Sequence, residues 1–331
     1  MIYIETDKKT AAFHFSLEEF IVREYPFNEP VMMIWQTEKC AMLGNYQIAE
    51  AEINMSLARE AGVEIVRRAS GGGTIFTDPG TFLISIIMPK SENDNLKKTA
   101  QEIIAEPIAQ ALNKMDIPAK IEGRNDITLN ERKIVGMAQY LSCGRICTHA
   151  SLLFDADLNL LAEILQVDEG KIHSKAIKSV RSRVTNIKEH MEKPCSTSEF
   201  MEKLKKSLMC DMQLREHSLT ADVLKQVEEI RKEKYGNPKW TIGKSPKFTF
   251  QNSKRFEGGK IEVHLNVEKG VVKQCSIHGD FLGTVPICDL EECFVNKEFQ
   301  YQVFYDLLDG ICLQPFFGNI TKEEFLDCLF S

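Results

Sequence analysis

Hydrophobic and polar residues follow two different periods along the chain, and together they predict a mixture of strands and helices. Residues 81–88 are apolar without alternation, which is typical of a strand that is buried on both faces. Shorter apolar runs between turn-forming residues predict further strands. These strands cover residues 31–35, 41–44, 63–66, 119–121, 126–129, 133–138 and 149–154, with a hairpin turn at Asn130 and Glu131.

Helical spacing separates these strands. It covers residues 49–61, 96–115, 158–165, 200–209 and 220–235. Pro107 predicts an interruption in the second helix because proline lacks a backbone N–H group. Gly62 predicts the end of the first helix. Capping boxes, in which a serine or threonine precedes a glutamate by three residues, predict helix starts within residues 16–19, 196–199 and 321–324.

A run rich in turn formers and aromatic residues, 235–246, predicts a domain boundary. After it, residues 261–267 alternate cleanly, residues 268–270 form a turn, and residues 271–277 return as the second strand of a hairpin. Two helices are predicted to follow. A chain of 331 residues is too long for one small core, so we predict domains at residues 1–244 and 245–331.

Composition and charge exclude several classes of protein. The net charge is −7, which gives no general electrostatic reason for nucleic-acid binding. The N-terminal residues lack a signal-peptide pattern, and no stretch has the length and apolarity of a membrane span. We therefore expect a cytoplasmic protein with reduced cysteines, without a membrane or nucleic-acid partner. The spacings of Cys143 and Cys147, and of Cys288 and Cys293, are not typical of zinc sites.

The segment Arg67–Gly73, with the sequence Arg-Arg-Ala-Ser-Gly-Gly-Gly, is the strongest candidate for chemistry. Glycines without side chains allow a backbone to lie directly against a ligand, and arginines attract a carboxylate or phosphate. A glycine-rich turn with surface arginines is an equal alternative. Neither the P-loop motif nor the G-x-G-x-x-G motif occurs in the chain.

Other polar residues stand on or beside short predicted strands, and could surround an anion near this segment. They are Arg68, Ser70, Asp78, Asn125, Asp126, Lys133 and His149. One ammonium group at Lys133 could contact a carboxylate and a phosphate together and offset their repulsion. Spacing alone favours a solvent-exposed turn lysine at this position and a packed or solvated histidine at 149. Asp78 could be a turn residue only, and the Asn125–Asp126 pair could equally cap a turn.

Four motifs in order resemble the lipoate–protein ligase A family of the biotin/lipoate ligase superfamily. They are residues 67–73, then Gly-Arg-Asn-Asp at 123–126, then Arg-Lys-Ile-x-Gly-x-Ala-Gln at 132–139, then Ser-Val-Arg-Ser-Arg-Val-Thr-Asn at 179–186. The C-terminal residues are similar to the accessory domain of that family, through Tyr235-Gly236-Asn237, Trp240 and residues 243–248. The resemblance covers nearly the whole chain.

The resemblance implies an α+β protein, with a ligase-type catalytic domain of mixed β-sheet flanked by helices and a small α+β accessory domain. It implies that ATP and Mg2+ activate lipoate to lipoyl-AMP, and that a lysine of an acceptor domain, an E2 subunit or a glycine-cleavage H-type protein, receives the lipoyl group. Lys133 matches the essential lysine of the family. The implied binding residues are Arg68, Ser70, Gly71, Gly72, Gly73, Asp78, Asn125, Asp126, Gly136, Ala138, His149, Ala150, Arg181 and Arg183, with Asp126 also facing the metal.

The resemblance also implies that residues 170–186 form a mobile loop that closes over the adenylate, and that strands carrying Val66, Ile75, Phe76 and Ile84 line an acyl tunnel. Departures from the family pattern at Val135, Met137, Thr77 and Ala150 are expected to narrow or dry the site, as in a paralogue specialised for one acceptor. Two alternatives remain. One is an octanoyl or lipoyl transferase using a cysteine thioester at Cys143 or Cys147, and the other is a non-catalytic binder of lipoyl-adenylate.

Overall fold

The computed structural model describes residues 1–331 apart from 27–28, 48, 92–94, 124–125, 166–180, 243–249, 269 and 331. Within these residues the strands form one sheet of eight and two sheets of three. The strands are β1 Ile2–Ile4, β2 Val31–Trp35, β3 Cys40–Leu43, β4 Glu64–Arg67, β5 Ile75–Thr77, β6 Thr81–Pro89, β7 Lys120–Glu122, β8 Asp126–Leu129, β9 Arg132–Ser142, β10 Arg145–Leu153, β11 Arg215–His217, β12 Phe250–Phe256, β13 Gly259–Glu268 and β14 Val271–Gly279.

The eight-stranded sheet has the order β11-β1-β2-β6-β10-β9-β8-β7. Strand β1 pairs in parallel with both of its neighbours, while β6 pairs antiparallel with β2 and with β10, so the sheet is mixed. The first seven residues of β6 are buried, which confirms the prediction of a strand covered on both faces. Asn130 and Glu131, with φ of 50° and 61°, form the predicted turn between β8 and β9.

Helices pack on both faces of this sheet and form most of the remaining structure. They are α1 Ala11–Arg23, α2 Ala49–Glu52, α3 Met55–Glu60, α4 Leu96–Ala100, α5 Glu106–Asn113, α6 Leu158–Ile164, α7 Thr197–Asp211, α8 Ala221–Ile230, α9 Pro238–Thr241, α10 Cys288–Phe294, α11 Tyr301–Asp309, α12 Gln314–Phe317 and α13 Lys322–Phe330. Two π-helical turns, Gln101–Ala105 and Arg231–Tyr235, follow α4 and α8, and a 3₁₀ turn covers Ile187–His190.

Two predicted helix boundaries are wrong. Helix α1 begins at Ala11 rather than at residue 16, and the Ser16 hydroxyl donates a hydrogen bond to the Ala12 carbonyl inside the helix. The predicted helix over 49–61 is divided into α2 and α3 because the Asn54 side chain accepts a hydrogen bond from Leu57 N–H and starts a new helix. The interruption at Pro107 is confirmed, since a π-helical turn ends immediately before α5.

Residues 250–330, called the C-terminal unit below, carry their own apolar core between the three-stranded sheet and its helices. The predicted hairpin is confirmed as β13 and β14. Four helices follow it instead of the predicted two. The boundary predicted after residue 244 lies outside the described residues.

The structure confirms the predicted fold class. A mixed sheet flanked by helices is accompanied by a small unit that has a three-stranded sheet and helices. Among the helices of the described residues, none combines the length and apolarity needed to cross a bilayer.

Candidate functional site

Lys133 reaches the site because of an irregularity in the strand pairing. Opposite residues pair as Ile127 with Val135 and as Thr128 with Lys133, so one extra residue of β9 is inserted between them. Such a β-bulge re-aims the side chains beside it. The Lys133 side chain therefore lies across Gly136, where an added Cβ atom would come within 2.6 Å of Lys133 Cε and 2.7 Å of Nζ.

The Lys133 ammonium is held close to a carboxylate. Its Nζ lies 2.7 Å from Asp126 Oδ1, and both side chains are about one-third exposed. The Lys133 carbonyl accepts a hydrogen bond from Thr185 N–H, at 3.1 Å, and Val184 forms a parallel bridge with Lys133. The end of the motif at 179–186 therefore lies directly beside Lys133. Lys133 is thus partly exposed and held against Asp126 and Gly136.

Arg68 holds the glycines of the segment Arg67–Gly73 in place. Its Nη2 donates to the carbonyls of Gly71 and Gly73 at 2.9 and 2.7 Å, and its Nε donates to Ser70 Oγ at 3.0 Å. Burial and the charge of Arg67 lower the pKa of the Arg68 guanidinium to about 10, so it remains protonated near neutral pH. Arg68 thus holds the segment Arg67–Gly73 in one conformation and places a positive charge beside it.

Arg67 has a structural role, and the expectation that it supplies charge to an anionic ligand is wrong. Arg67 is buried, and its guanidinium lies within hydrogen-bond distance of backbone carbonyls on two parts of the chain. These are the carbonyls of Gly44, Asn45, Gln47, Trp240 and Thr241. The Trp240 indole N–H in turn donates to the Arg67 carbonyl. Arg67 therefore fixes the end of β4 to helix α9.

A buried hydrogen-bond chain connects this loop with helix α1. Ser70 Oγ lies 2.7 Å from His149 Nε2, and His149 Nδ1 lies 3.4 Å from Glu18 Oε1. Because a carboxylate accepts hydrogen bonds, a neutral His149 ring carries its proton on Nδ1 and accepts from Ser70 at Nε2. Ser85 Oγ also donates to Glu18 Oε1, at 2.5 Å.

A small cavity of about 150 Å3 lies between these groups, on the Gly136 face of the sheet. It brings together most of the predicted site residues. Those lining it are Arg68, Gly72, Gly73, Lys133, Gly136, Ala138, His149 and Ala150. Its remaining wall consists of Phe15, Met42, Thr74, Ile75, Leu83, Met137 and Ser151. The cavity is therefore apolar along one wall and cationic at Arg68 and Lys133.

A large cavity of about 470 Å3 adjoins the small one at Met137 and Ala138 and extends to the C-terminal unit. Its far wall includes Leu282, Thr284 and Pro315. A ligand that occupied both cavities would therefore contact both parts of the chain.

The C-terminal unit contacts the glycines of the segment Arg67–Gly73 directly. Gly72 N–H donates to the Phe281 carbonyl at 3.2 Å, and the Phe281 ring stacks on Tyr46 with ring centres 4.8 Å apart. A Cβ atom at Gly71 would lie 2.4 Å from the Phe281 carbonyl oxygen. Because Gly71 and Gly72 have no side chains, the Phe281 backbone can approach this segment closely.

Several predicted residues occupy other surroundings. Asp78 is buried in the turn before β6, where it accepts hydrogen bonds from Gly80 N–H, Thr81 Oγ1 and Asp157 N–H. Arg181 and Arg183 are exposed, and Arg181 donates to Asn159. Within the described residues, none of these three lines either cavity. Asn125 and most of the predicted loop at 170–186 lie outside the described residues.

The structure also locates the departures from the family pattern. Val135 is fully buried in the apolar core and, within the described residues, lines neither cavity, so the expectation that it narrows the site is wrong. Met137 does line the cavities. Of the four residues expected to line a tunnel, only Ile75 reaches the small cavity among the described residues, whereas Val66, Phe76 and Ile84 lie in apolar cores.

Neither candidate cysteine is an activated thiol at the small cavity, as far as the described residues show. Cys147 is buried, and desolvation together with the charge of Glu18 raises the pKa of its thiol well above the usual range. Cys143 is exposed in the turn between β9 and β10. A nucleophilic cysteine requires a lowered pKa, so this geometry disfavours the thioester transferase.

Sequence reasoning missed the contributions of Phe15 and Glu18 from α1, and of Phe281 from the C-terminal unit. Helix α1 is buried around nearly its whole circumference and is mostly apolar, and a carboxylate within such a helix signals a buried charge. For Phe281 the sequence offers no comparable signal.

Comparisons with known proteins show which families the chain is similar to. Residues 10–209 match the family model of the lipoyl protein ligase A/B catalytic domain, and residues 245–329 match that of the bacterial lipoate protein ligase C-terminus. Lipoate-protein ligase LplJ of Bacillus subtilis is 37% identical over 321 residues, covering 95% of this chain and 95% of LplJ.

Two solved structures share the fold. The P. falciparum protein LipL1, in complex with lipoate, matches with a TM-score of 0.76 and 22% identity, covering 98% of this chain and 97% of that one. A lipoate-protein ligase A bound with ATP matches with a TM-score of 0.61 and 21% identity, covering 73% of this chain and 99% of that one.

Proposed function

The chain belongs to the lipoate–protein ligase family, and from this premise we propose that it activates lipoate with ATP and transfers the lipoyl group to a protein. In the first step a lipoate carboxylate oxygen attacks the α-phosphorus of ATP, giving lipoyl-AMP and pyrophosphate. In the second step the amine of an acceptor lysine attacks the lipoyl carbonyl carbon, releasing AMP and a proton. The acceptor is a lipoyl domain of an E2 subunit or an H-type protein.

The observation that carries this proposal is the position of the Lys133 ammonium, folded over Gly136 at the wall of the small cavity. Two anions must come within bonding distance for adenylation, and their repulsion opposes it. A cation in a partly dry site, contacting a carboxylate oxygen and a phosphate oxygen, offsets this repulsion and gains strength as the charge on the phosphate develops. Lys133 has this electrostatic role and is not a nucleophile.

The walls of the small cavity fit the two ends of an acyl substrate. Phe15, Met42 and Leu83 offer apolar surface to an alkyl chain. Gly72 and Gly73 bring backbone close to the carboxyl end, with the buried Arg68 guanidinium behind them. We propose the same role for Ser70, Gly71, Ala138, His149 and Ala150 as parts of the ligand-binding surface.

The residues present also fit a magnesium ion accompanying ATP. Mg2+ prefers carboxylate and phosphate oxygens and keeps several waters. Asp126 offers such oxygens beside Lys133, so Asp126 would hold the ion together with the phosphates. The ion supplies positive charge to the triphosphate when it is bound.

The remaining parts of the proposal concern larger units. We propose that residues 1–244 form the catalytic domain and that residues 245–331 form an accessory domain. We further propose that the segment 170–186, with Arg181 and Arg183, excludes water from the adenylate, because a mixed anhydride hydrolyses readily. Thr185, beside the Lys133 carbonyl, would anchor the end of that segment.

The test is a mass measurement of candidate acceptor domains incubated with the protein, ATP, Mg2+ and lipoate. A gain of one lipoyl group, with AMP and pyrophosphate as products, is expected. Pyrophosphate release without any acceptor distinguishes the ligase from a transferase between carriers and from a non-catalytic binder.

The variant Lys133→Ala tests the central residue. We expect it to abolish formation of lipoyl-AMP while the circular dichroism spectrum remains that of the wild type. The exposed Lys120 on β7 provides a matched lysine-to-alanine control, which should retain activity. Undiminished lipoylation by Lys133→Ala would contradict the proposal.

A further inference from the structure

Glu18 is a buried carboxylate, and the charge of Arg68 acts on it only from beyond ion-pair distance. Its side chain is only 2% exposed. In the described part of the chain, its ion-pair contact is with the His149 ring alone, at 3.4 Å, and no lysine or arginine lies within ion-pair distance. Buried charges in proteins are normally paired or bound to a metal. A cation bound beside Glu18 would therefore stabilise its buried charge.

Two potential metal ligands face Glu18 from strand β10. Cys147 and His149 stand two residues apart, so their side chains share one face of the strand. One ligand atom from each of Glu18, Cys147 and His149 lies within 4.8 Å of the others, and all three residues are buried. Tetrahedral zinc with bonds of about 2.0–2.3 Å would need only modest side-chain shifts to join them.

The groups around these ligands favour metal binding. His149 Nδ1 faces Glu18 while Nε2 faces Ser70 Oγ, and Ser85 donates to the Glu18 carboxylate. Metal binding at Nδ1 therefore requires the other tautomer, in which Nε2–H donates to Ser70 Oγ. Hydrogen bonds of this kind fix the direction of metal ligands. His149 also lines the small cavity, which gives an ion a route of entry and leaves a coordination position for water.

From this arrangement we propose that Glu18, Cys147 and His149 form a binding site for a thiophilic divalent cation of the zinc class. A thiolate, an imidazole and a carboxylate form a ligand set that zinc accepts, whereas magnesium and calcium take oxygen ligands. The charges balance, because one thiolate and one carboxylate neutralise Zn2+. The Zn–S bond replaces the S–H bond, and the thiol proton leaves to solvent.

The site shares His149 with the proposed ligand-binding surface, whereas Glu18 and Cys147 are not among the described residues that line the two cavities. Zinc binding requires neither lipoate nor ATP. The ion would join helix α1 to strand β10 and place a positive charge in direct contact with the Glu18 carboxylate. Failure of lipoylation would therefore leave this inference intact, and the reverse also holds.

The experiment measures zinc binding to the reduced, metal-free full-length chain by competition with a chromophoric chelator. The wild type is expected to bind one equivalent more tightly than Cys147→Ser or Glu18→Gln, by at least about tenfold. Cys40→Ser is the matched control because Cys40 is also buried, and it should bind like the wild type. Exposed cysteines are unchanged in all four proteins, so they contribute equally.

A second measurement uses Cd2+, whose bond to a thiolate absorbs in the ultraviolet, together with the thermal midpoint. Cadmium absorption and a zinc-dependent rise in the midpoint are expected for the wild type and Cys40→Ser, and both should be reduced in Cys147→Ser. Circular dichroism without metal checks that each variant is folded. Equal zinc affinity of the wild type and Cys147→Ser, or no zinc binding by the wild type, would overturn the inference.

Discussion

At the scale of single residues, a missing side chain decides where the Lys133 ammonium lies. The bulge in β9 turns Lys133 toward Gly136, and only a residue without a Cβ atom leaves room for it there. The motif glycine at 136 is therefore a positioning residue, although it carries no functional group.

Gly136→Ala should lower the rate of adenylate formation about 100-fold, because displacing a catalytic group by about 1 Å costs a factor of this size. The strand should persist, since its backbone needs no glycine conformation here. Single-turnover measurement of lipoyl-AMP checks the rate. Gly310→Ala, whose Cβ atom would meet only the Leu307 carbonyl at 3.9 Å, is the control. An unaltered rate for Gly136→Ala would show that Lys133 does not depend on the gap.

The sequence predicted which residues gather at the small cavity better than it predicted what each one does. Lys133 and Arg68 were found because four motifs in order are specific together, whereas His149 lies outside those motifs and was found through the family resemblance. The two adjacent arginines could not be told apart, since only the pairing of β4 with β3 and the position of Trp240 show that Arg67 binds backbone carbonyls. Likewise, Lys133 and Gly136 share one face of the sheet only because of the bulge, which no local pattern reveals.

At the scale of elements, helix α1 shows why local signals fail where burial is complete. The capping boxes at Ser196 and Thr321 are confirmed, because both helix starts are exposed and the side chains satisfy free backbone N–H groups. Residues 16–19 have the same pattern, but they lie inside a buried helix. Tertiary packing, which the sequence pattern does not contain, therefore outweighed the capping signal.

The same helix should make the protein sensitive to acid. His14 is buried against Trp35, with ring centres 4.4 Å apart, and burial lowers its pKa from 6.5 to about 4. The unfolded chain binds this proton at higher pH than the folded chain does. Stability is therefore complete above pH 6.5 and falls as the pH decreases toward 4, by at most about 3 kcal/mol for this group.

Urea unfolding between pH 7 and pH 4.5 measures this dependence. His14→Gln should reduce its slope, because glutamine can still donate to the Lys8 carbonyl but does not titrate. Part of the slope should remain through His278, whose pKa burial also lowers to about 4. His217→Gln, at a less buried histidine, is the control. A slope unchanged by His14→Gln would contradict the assignment.

At the scale of the whole molecule, the proposed ligand site and the arrangement of the two parts of the chain depend on the same glycines. Gly72 donates its N–H to the Phe281 carbonyl, while Gly279 N–H donates to the Tyr46 carbonyl at 2.8 Å. A ligand that binds the backbone of the segment Arg67–Gly73 must then compete with the C-terminal unit for the same backbone groups. We therefore expect binding at this segment and the position of the C-terminal unit to be coupled, in both directions.

Gly71→Ala tests this coupling without removing any polar group. Its Cβ atom would lie 2.4 Å from the Phe281 carbonyl oxygen, and because this oxygen belongs to the backbone, the C-terminal unit must shift. We expect small-angle scattering to give a larger radius of gyration than for the wild type. Gly73→Ala is the matched control in the same segment, since its Cβ atom would meet nothing within 4 Å. If the scattering curve of Gly71→Ala superimposes on those of both other proteins, the glycines do not hold the two parts together, and the C-terminal unit is fixed by its other contacts.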